Sequence, residues 1–395
     1  MKSLFTTLLF LIFCTGVFAQ DEAKPADTVK KGLSARIKAS IEKSSKRKEA
    51  KIAEGKMVIS PFAMPGYTPE AGFLFSVGAL FTFATDKKDT STQRSSFPVV
   101  AGVTGRGGYW FSGPITTFWL KDRLRITSDQ YFKRMPDHYF GVGYTSGDTT
   151  KMTDSTKYVK TTWGFKPKVA WRFFDNLFVG VSFDFNQTIA TDLTHQIERD
   201  PYIQKYGTNI FNAGMGLFLR YDSRDIVVCP WNGLYAEVLA NFYGPYLGGD
   251  YTYEIFQADV RYYQTIAREG SVLAMTISGR FGADNVPWSD MGSLGSSYDL
   301  RGYYLGQYRD RSSMFIIAEY RNTIRKRGSD ELSPHGIVTW IGAGSVGYDP
   351  SQFNDWLPSI GIGYRLALQP RMNMRIDFGI GKNSSGLYFN FTEAF

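Results

Sequence analysis

From about residue 57 onward the chain is written in short stretches in which every second residue is apolar. Phe73, Phe75, Val77, Ala79, Phe81 and Phe83 alternate with Leu74, Ser76, Gly78, Leu80 and Thr82. Leu177, Val179, Val181, Phe183 and Phe185 alternate with Gly180, Ser182, Asp184 and Asn186. Phe211, Ala213, Met215, Leu217 and Leu219 face away from Asn212, Gly214, Gly216 and Arg220, and Met374, Ile376, Phe378 and Ile380 from Arg375, Asp377 and Gly379. Successive side chains of a strand point to opposite faces, so a period of two predicts strands with one apolar and one polar face. A soluble sandwich alternates as well. The charges separate the two cases: Lys166, Lys168 and Arg172, or Gln257, Asp259 and Arg261, make strongly polar faces opposite apolar ones. An apolar outside in lipid around a wet lumen is the simplest arrangement that accommodates them.

Sixteen such stretches are predicted, near 57–64, 72–85, 96–105, 109–120, 123–134, 161–173, 176–188, 210–222, 233–243, 252–265, 271–284, 313–325, 336–347, 357–368, 371–381 and 386–395. The expected fold is therefore all-β, a 16-stranded antiparallel transmembrane β-barrel over residues 57–395. Closure leaves no backbone donor unpaired in lipid, and an even count puts both ends on one side, the periplasm. The connections 174–175, 268–270 and 369–370 are as short as periplasmic turns should be, whereas 86–95, 223–232 and 326–335 are longer. Outer loops fall at 135–160, 189–209, 244–251 and 285–312, the last being the longest.

Composition agrees with this picture. Aromatics make up 16% of the chain and glycines number 40, which suits a barrel with half-polar strands and aromatic rims. Met1 to Ala19 reads as a secretory signal peptide: Lys2, an apolar run over 4–14, and small residues at Val17 and Ala19. The run is too short to span a bilayer, and the large residues before Cys14 do not suit a lipidation signal. Removing the signal leaves Cys229 alone, so no intramolecular disulfide is expected, and a packed residue is the reading for its thiol. The net charge of +8 is concentrated in residues 20–56, with 11 basic and 6 acidic residues; 57–395 carries 33 and 31. That is a solvated tail able to meet periplasmic or outer-membrane protein partners, not a nucleic-acid groove. Leu33, Ile37 and Ile41 allow a short helix in it from about Ser34, and a charged linker is the alternative.

One stretch departs from the strand pattern: DLRGYYLGQYRDR, residues 299–311, an aromatic and charged insert in the longest loop. Its Leu300-Arg301-Gly302-Tyr303 resembles the signature tetrapeptide of the bacterial surface-antigen superfamily, the BamA/TamA-type assembly and translocation barrels. The position matches, between strands 11 and 12 of sixteen. Tyr221-Asp222-Ser223-Arg224-Asp225 with Pro230 and Gly233, His138 to Gly143, Ala318-Glu319-Tyr320-Arg321, and Arg375 to Gly379 resemble further family segments. The resemblance implies that the sixth outer loop folds back into the lumen and that Arg301 is held there. Strand facing points Glu319, Arg321 and Asp377 inward, and Glu319 and Asp377 are the candidate partners of the guanidinium. Where the family often has an inward Asp on strand 13, this chain has Gly342.

At the C-terminus Leu387, Phe389, Phe391 and Phe395 are expected to form one lipid-facing apolar row, interrupted by Glu393 near the rim, and resemble the signal that barrel-assembly machinery reads. The 37 residues of 20–56 are fewer than the roughly 50 of a small domain, so the chain resembles short members lacking periplasmic POTRA domains. His138, His195 and His335 are scattered, and no GxSxG, HExxH or paired-Cys motif occurs; no cofactor, metal or enzymatic chemistry is implied. The expected locale is the outer membrane of a Gram-negative cell, with lipids as the constant partner. Three functions stay open: assembly or translocation of client proteins, a structural subunit of an outer-membrane complex, and a passive channel.

Overall fold

The computed structural model describes residues 55–68, 71–86, 92–227, 229–369 and 371–395. The stretch expected to be a signal peptide and nearly all of the basic tail lie outside the described residues, so those expectations stand as they were. The strands open with β1 (Val58–Thr68), β2 (Gly72–Phe83), β3 (Ser95–Thr104), β4 (Tyr109–Ser112), β5 (Ile115–Trp119) and β6 (Leu124–His138). Next come β7 (Lys157–Phe174), β8 (Leu177–Thr191), β9 (Asn209–Asp222), β10 (Gly233–Tyr243), β11 (Tyr253–Thr265) and β12 (Ser271–Asp284). The rest are β13 (Gly292–Leu294), β14 (Tyr308–Asp310), β15 (Ser312–Arg325), β16 (Leu332–Gly347), β17 (Leu357–Gln369), β18 (Met372–Ile380) and β19 (Ser385–Phe391).

All but β13 and β14 belong to one antiparallel sheet that runs in chain order, with β12 pairing directly with β15. β4 and β5 lie end to end, both between β3 and β6. The interruption falls at Gly113-Pro114, where proline has no N–H to give to a ladder. The ends of the sheet meet: a Cβ on Gly66 of β1 would lie 3.8 Å from the Phe389 carbonyl oxygen of β19. The sheet is thus a β-barrel. Among the described residues no helix is long and apolar enough to cross a membrane; the crossing elements are strands.

The two faces separate as the alternation requires. Phe73, Leu217, Ile341 and Ile360 stand more than half exposed on the outer face, where lipid covers them. The opposite face buries charge: Arg125 pairs with Asp222 at 3.0 Å, Lys166 with Asp184 at 2.9 Å, and Lys168 and Arg220 share Glu237. Partly desolvated charges persist only in such company.

The structure corrects several expectations. β6 and β7 run on to His138 and back from Lys157, so the loop expected over 135–160 shrinks to 139–156 and His138 ends a strand. Their extra rungs, from Met135↔Lys160 to His138↔Lys157, satisfy backbone groups that a loop would have left to water. The last strand, expected to reach 395, ends at Phe391. Thr392 adopts φ 63°, a left-handed turn, and the chain then leaves the sheet. Ala394 and Phe395 are buried, in one cluster with Tyr263, Leu294, Leu300 and Trp340. Leu387 is exposed on the outer face, but Phe395 does not share that face, and Glu393 is buried rather than set at a rim.

Candidate functional site

Residues 285–311 join β12 to β15 and carry the motif. The segment is organised rather than open: β13 and β14 pair as a two-stranded ribbon, Gly292↔Asp310 to Leu294↔Tyr308. Asp299 closes the turn between them by accepting the N–H of Gly295 at 3.1 Å and of Ser296 at 2.7 Å. Burial pushes its carboxyl up from the usual aspartate range, against the pull of those hydrogen bonds.

Arg301 is completely buried. Its Nη1 donates to Asp377 Oδ2 at 2.8 Å and its Nη2 to Glu319 Oε1. The guanidinium carbon lies over Trp340, 3.7 Å from the ring centroid. The contact is one node of a larger lattice. Asp377 also receives Arg365 Nη1 at 2.5 Å and Arg375 Nη1 at 2.6 Å, and Glu319 receives Arg321 Nε at 2.9 Å. Glu393 takes Arg365 Nε at 2.8 Å and Asn373 Nδ2 at 2.7 Å. Burial would raise the Glu393 carboxyl, but Arg365, Arg321 and Asn373 outweigh it and hold the pKa at about 2. Each carboxylate thus serves at least two cations, the condition under which charges so deeply buried are tolerated.

The other motif residues act through backbone and shape. Gly302 sits at φ 115°, and a Cβ there would come within 2.6 Å of Gly381 N and Ile380 C. From the other side, a Cβ on Gly379 would lie 2.6 Å from Arg301 C. The loop backbone therefore lies directly on the end of β18, an approach only glycines allow. The Gly302 N–H donates to Tyr388 Oη at 3.0 Å, Tyr388 donates to the Tyr303 carbonyl at 2.8 Å, and Ser384 and Ser359 donate to the carbonyls of Gly302 and Arg301, each at 2.6 Å. Tyr303 donates to the Pro358 carbonyl at 2.6 Å, and burial pushes its phenol up to about 12. Leu300, fully buried, meets Gly344; a Cβ there would be 2.7 Å from its Cδ1.

Leu300, Arg301, Gly302 and Tyr303 are thus brought together with Glu319, Arg321 and Asp377. Leu387 and Phe389 are elsewhere, on β19. Residue 342, opposite Ile317, carries no carboxylate, and Asp377 stands where the guanidinium needs one. Sequence reasoning missed Arg365, Trp340, Ser359, Tyr388 and the inward Glu393, and gave Arg375 no role. Arg375 could have been found, since it shares a strand face with Asp377; Glu393 could not, because its turn at Thr392 leaves no pattern. The segment after β6 also packs on the loop: Phe140 stacks on Tyr304, centroids 6.3 Å apart, and Gly143 donates to the Arg309 carbonyl at 2.7 Å.

Among the described residues no group of His, Cys, Asp and Glu gathers to hold a metal ion. Cys229 is buried in the turn after β9 and its thiol is pushed up to about 11, chiefly by burial.

A β-barrel with an apolar outer face and a charged opposite face defines an integral outer-membrane protein. Residues 106–395 match the Omp85 superfamily domain, and the chain belongs to that superfamily. BamA from Haemophilus ducreyi lacking POTRA domains 1–3 shares the fold with a TM-score of 0.57 at 12% identity, over 85% of this chain and 69% of that one. CdiB from Acinetobacter baumannii aligns with a TM-score of 0.54 at 12% identity, over 85% of this chain and 59% of that one. CdiB from Escherichia coli aligns with a TM-score of 0.53 at 8% identity, over 85% and 62%. The chain therefore spans less than two thirds of either CdiB chain. No curated protein matches the sequence.

Proposed function

We propose that the protein is a sixteen-stranded barrel whose sixth outer loop, 285–311, is folded into the lumen, and that it assembles or translocates other proteins at the outer membrane. The sixteen positions follow if β4 and β5 count as one interrupted strand. The short-turn end is then periplasmic, and residues 20–56 face periplasmic partners. The observation that carries this reading is Arg301, fully buried between Glu319 and Asp377: a loop anchored inside a barrel occludes it and must be released or bypassed by anything passing through. Superfamily membership supports the same reading. The C-terminal strand residues Leu387, Phe389 and Phe391 remain the candidate signal for assembly machinery. Phe395, tucked away, is not counted with that row.

The test is the outer-membrane proteome after depletion of the protein. Broad loss of unrelated barrels, or loss of one defined client set, is the expected result. An unchanged proteome would overturn the reading in favour of a structural subunit. Large open-pore currents through the purified protein would instead make it a channel and remove the occluding loop from the argument.

A further inference from the structure

At the short-turn end a cavity of about 670 Å³ opens below the ion lattice. Its walls come from four turns, with Trp231 and Cys229 after β9, Gly270 before β12, Leu332 and Pro334 around the start of β16, and Arg371 before β18. Its floor is Arg321, Arg365 and Glu393. The volume lies within the range of pockets that hold small ligands or short peptide segments.

The floor is incompletely satisfied. Arg321 uses Nε on Glu319 and Nη2 on the Phe395 carbonyl at 3.1 Å; Arg365 uses Nε on Glu393 and Nη1 on the Tyr364 carbonyl and Asp377. Arg321 Nη1 and Arg365 Nη2 remain buried without a partner, although both side chains are more than nine-tenths buried. A buried donor left unmade is costly, so these two nitrogens call for an acceptor. The same arginines show what they accept. They already hold a piece of polypeptide: the Glu393 carboxylate on Arg365 and the Phe395 carbonyl on Arg321, with the Phe395 ring 4.9 Å from the Arg321 guanidinium.

We propose that this cavity binds an acidic peptide segment entering from the periplasm. Its carboxylate meets the Arg321 and Arg365 guanidiniums at the cavity floor, and an adjoining apolar side chain rests on Leu332 and Val338. A carboxylate offers these guanidinium donors charge-assisted hydrogen bonds, stronger than those a neutral acceptor would make. Entry from the periplasm rests on the orientation read above; binding itself does not, because it is measured on purified protein.

The experiment uses the full chain in detergent micelles and fluorescence anisotropy. The probe is a labelled, end-blocked hexapeptide, Gly-Ser-Glu-Ala-Phe-Gly, alongside its twin with glutamine for the glutamate. The expected result is at least tenfold tighter binding of the glutamate peptide, displaced by millimolar inorganic phosphate. Leu332→Trp fills the cavity without touching the ion lattice and should weaken binding at least tenfold while the barrel stays folded. Equal affinity for the two peptides, or binding indifferent to Leu332→Trp, overturns the proposal. Phosphate binding without peptide binding overturns it too, by leaving a plain oxyanion site. A negative result here leaves the depletion experiment untouched, so the two readings fail separately.

Discussion

Arg301→Ala removes the one cation that the loop sends into the barrel wall. Two charge-assisted hydrogen bonds and a guanidinium–indole contact are lost. Breaking a fully buried ion pair costs about 3–5 kcal/mol. The lower end applies here, because Glu319 keeps Arg321 and Asp377 keeps Arg365 and Arg375. At about 1.4 kcal/mol per tenfold, 3 kcal/mol multiplies the opening of the loop by roughly a hundred. The loop does not fall away, since its backbone bonds to Tyr388, Ser384 and Ser359 do not need the side chain. The assay is amide hydrogen exchange on the purified protein, under conditions where exchange follows the opening equilibrium. Amides of 299–309 should exchange about a hundredfold faster, and those of β8 and β9, on strands the lattice does not touch, within threefold of the parent. Acceleration of the loop by less than threefold would refute the reasoning. Equal acceleration across β15 to β18 would refute it differently, by showing that Arg301 holds the wall and not the loop.

Gly302→Ala should open the same loop at least as far, because its Cβ would collide with backbone atoms of β18 that cannot swing away, a strain of at least about 2 kcal/mol; the same exchange experiment reads it. Cys229, with its thiol near 11, should react slowly with maleimide at pH 8 and faster as pH climbs through 11. Arg371→Ala, which breaks the bonds to the Cys229 carbonyl and to Asp225, should speed labelling at pH 8 at least tenfold. Glu393, held near 2, stabilises the inward tail above the ordinary glutamate pKa of 4.5 and loses that contribution as pH falls toward 2. Exchange of the amides of 393–395, corrected for intrinsic rate, should therefore quicken between pH 5 and 2.5, and Glu393→Gln should flatten the dependence. In the unmodified protein at neutral pH, amides of β1 should exchange before those of 300–309; the reverse order would make the seam stronger than the lock.

The strands were legible because period-two alternation is imposed by lipid on one face and charge on the other. Boundaries drifted where that pressure ends. β6 and β7 continue through Asp137 and Tyr158, polar on their inner face and beyond the point where alternation carries information. Arg301 with Glu319 and Asp377 was legible because a family motif named one end and strand parity named the other two. Trp340 and Ser359 were not, since a buried indole and a small hydroxyl carry no sequence mark of what they touch. The fate of Phe395 was illegible for a different reason: a single left-handed residue, Thr392, sends four residues off the strand, and nothing in an alternating apolar pattern announces it.

The lattice also decides which part of the barrel the loop belongs to. Glu319 and Arg321 lie on β15, Trp340 on β16, Ser359 and Arg365 on β17, Arg375 and Asp377 on β18, and Tyr388 on β19. None of these contacts falls on β1 to β5. β1 carries Pro61 and Pro65, neither with an N–H to give, and β19 is a seven-residue strand beside an eleven-residue one. Pro61 and Pro65 remove two backbone donors from β1, while the strands on the β19 side are cross-braced by ion pairs and by the loop itself. Free energy concentrated on one side of a seam fixes what moves. If β1 separates, the loop, Arg301 and the buried tail stay with the C-terminal strands as one body, and the opening presents a peptide edge without first undoing the lock.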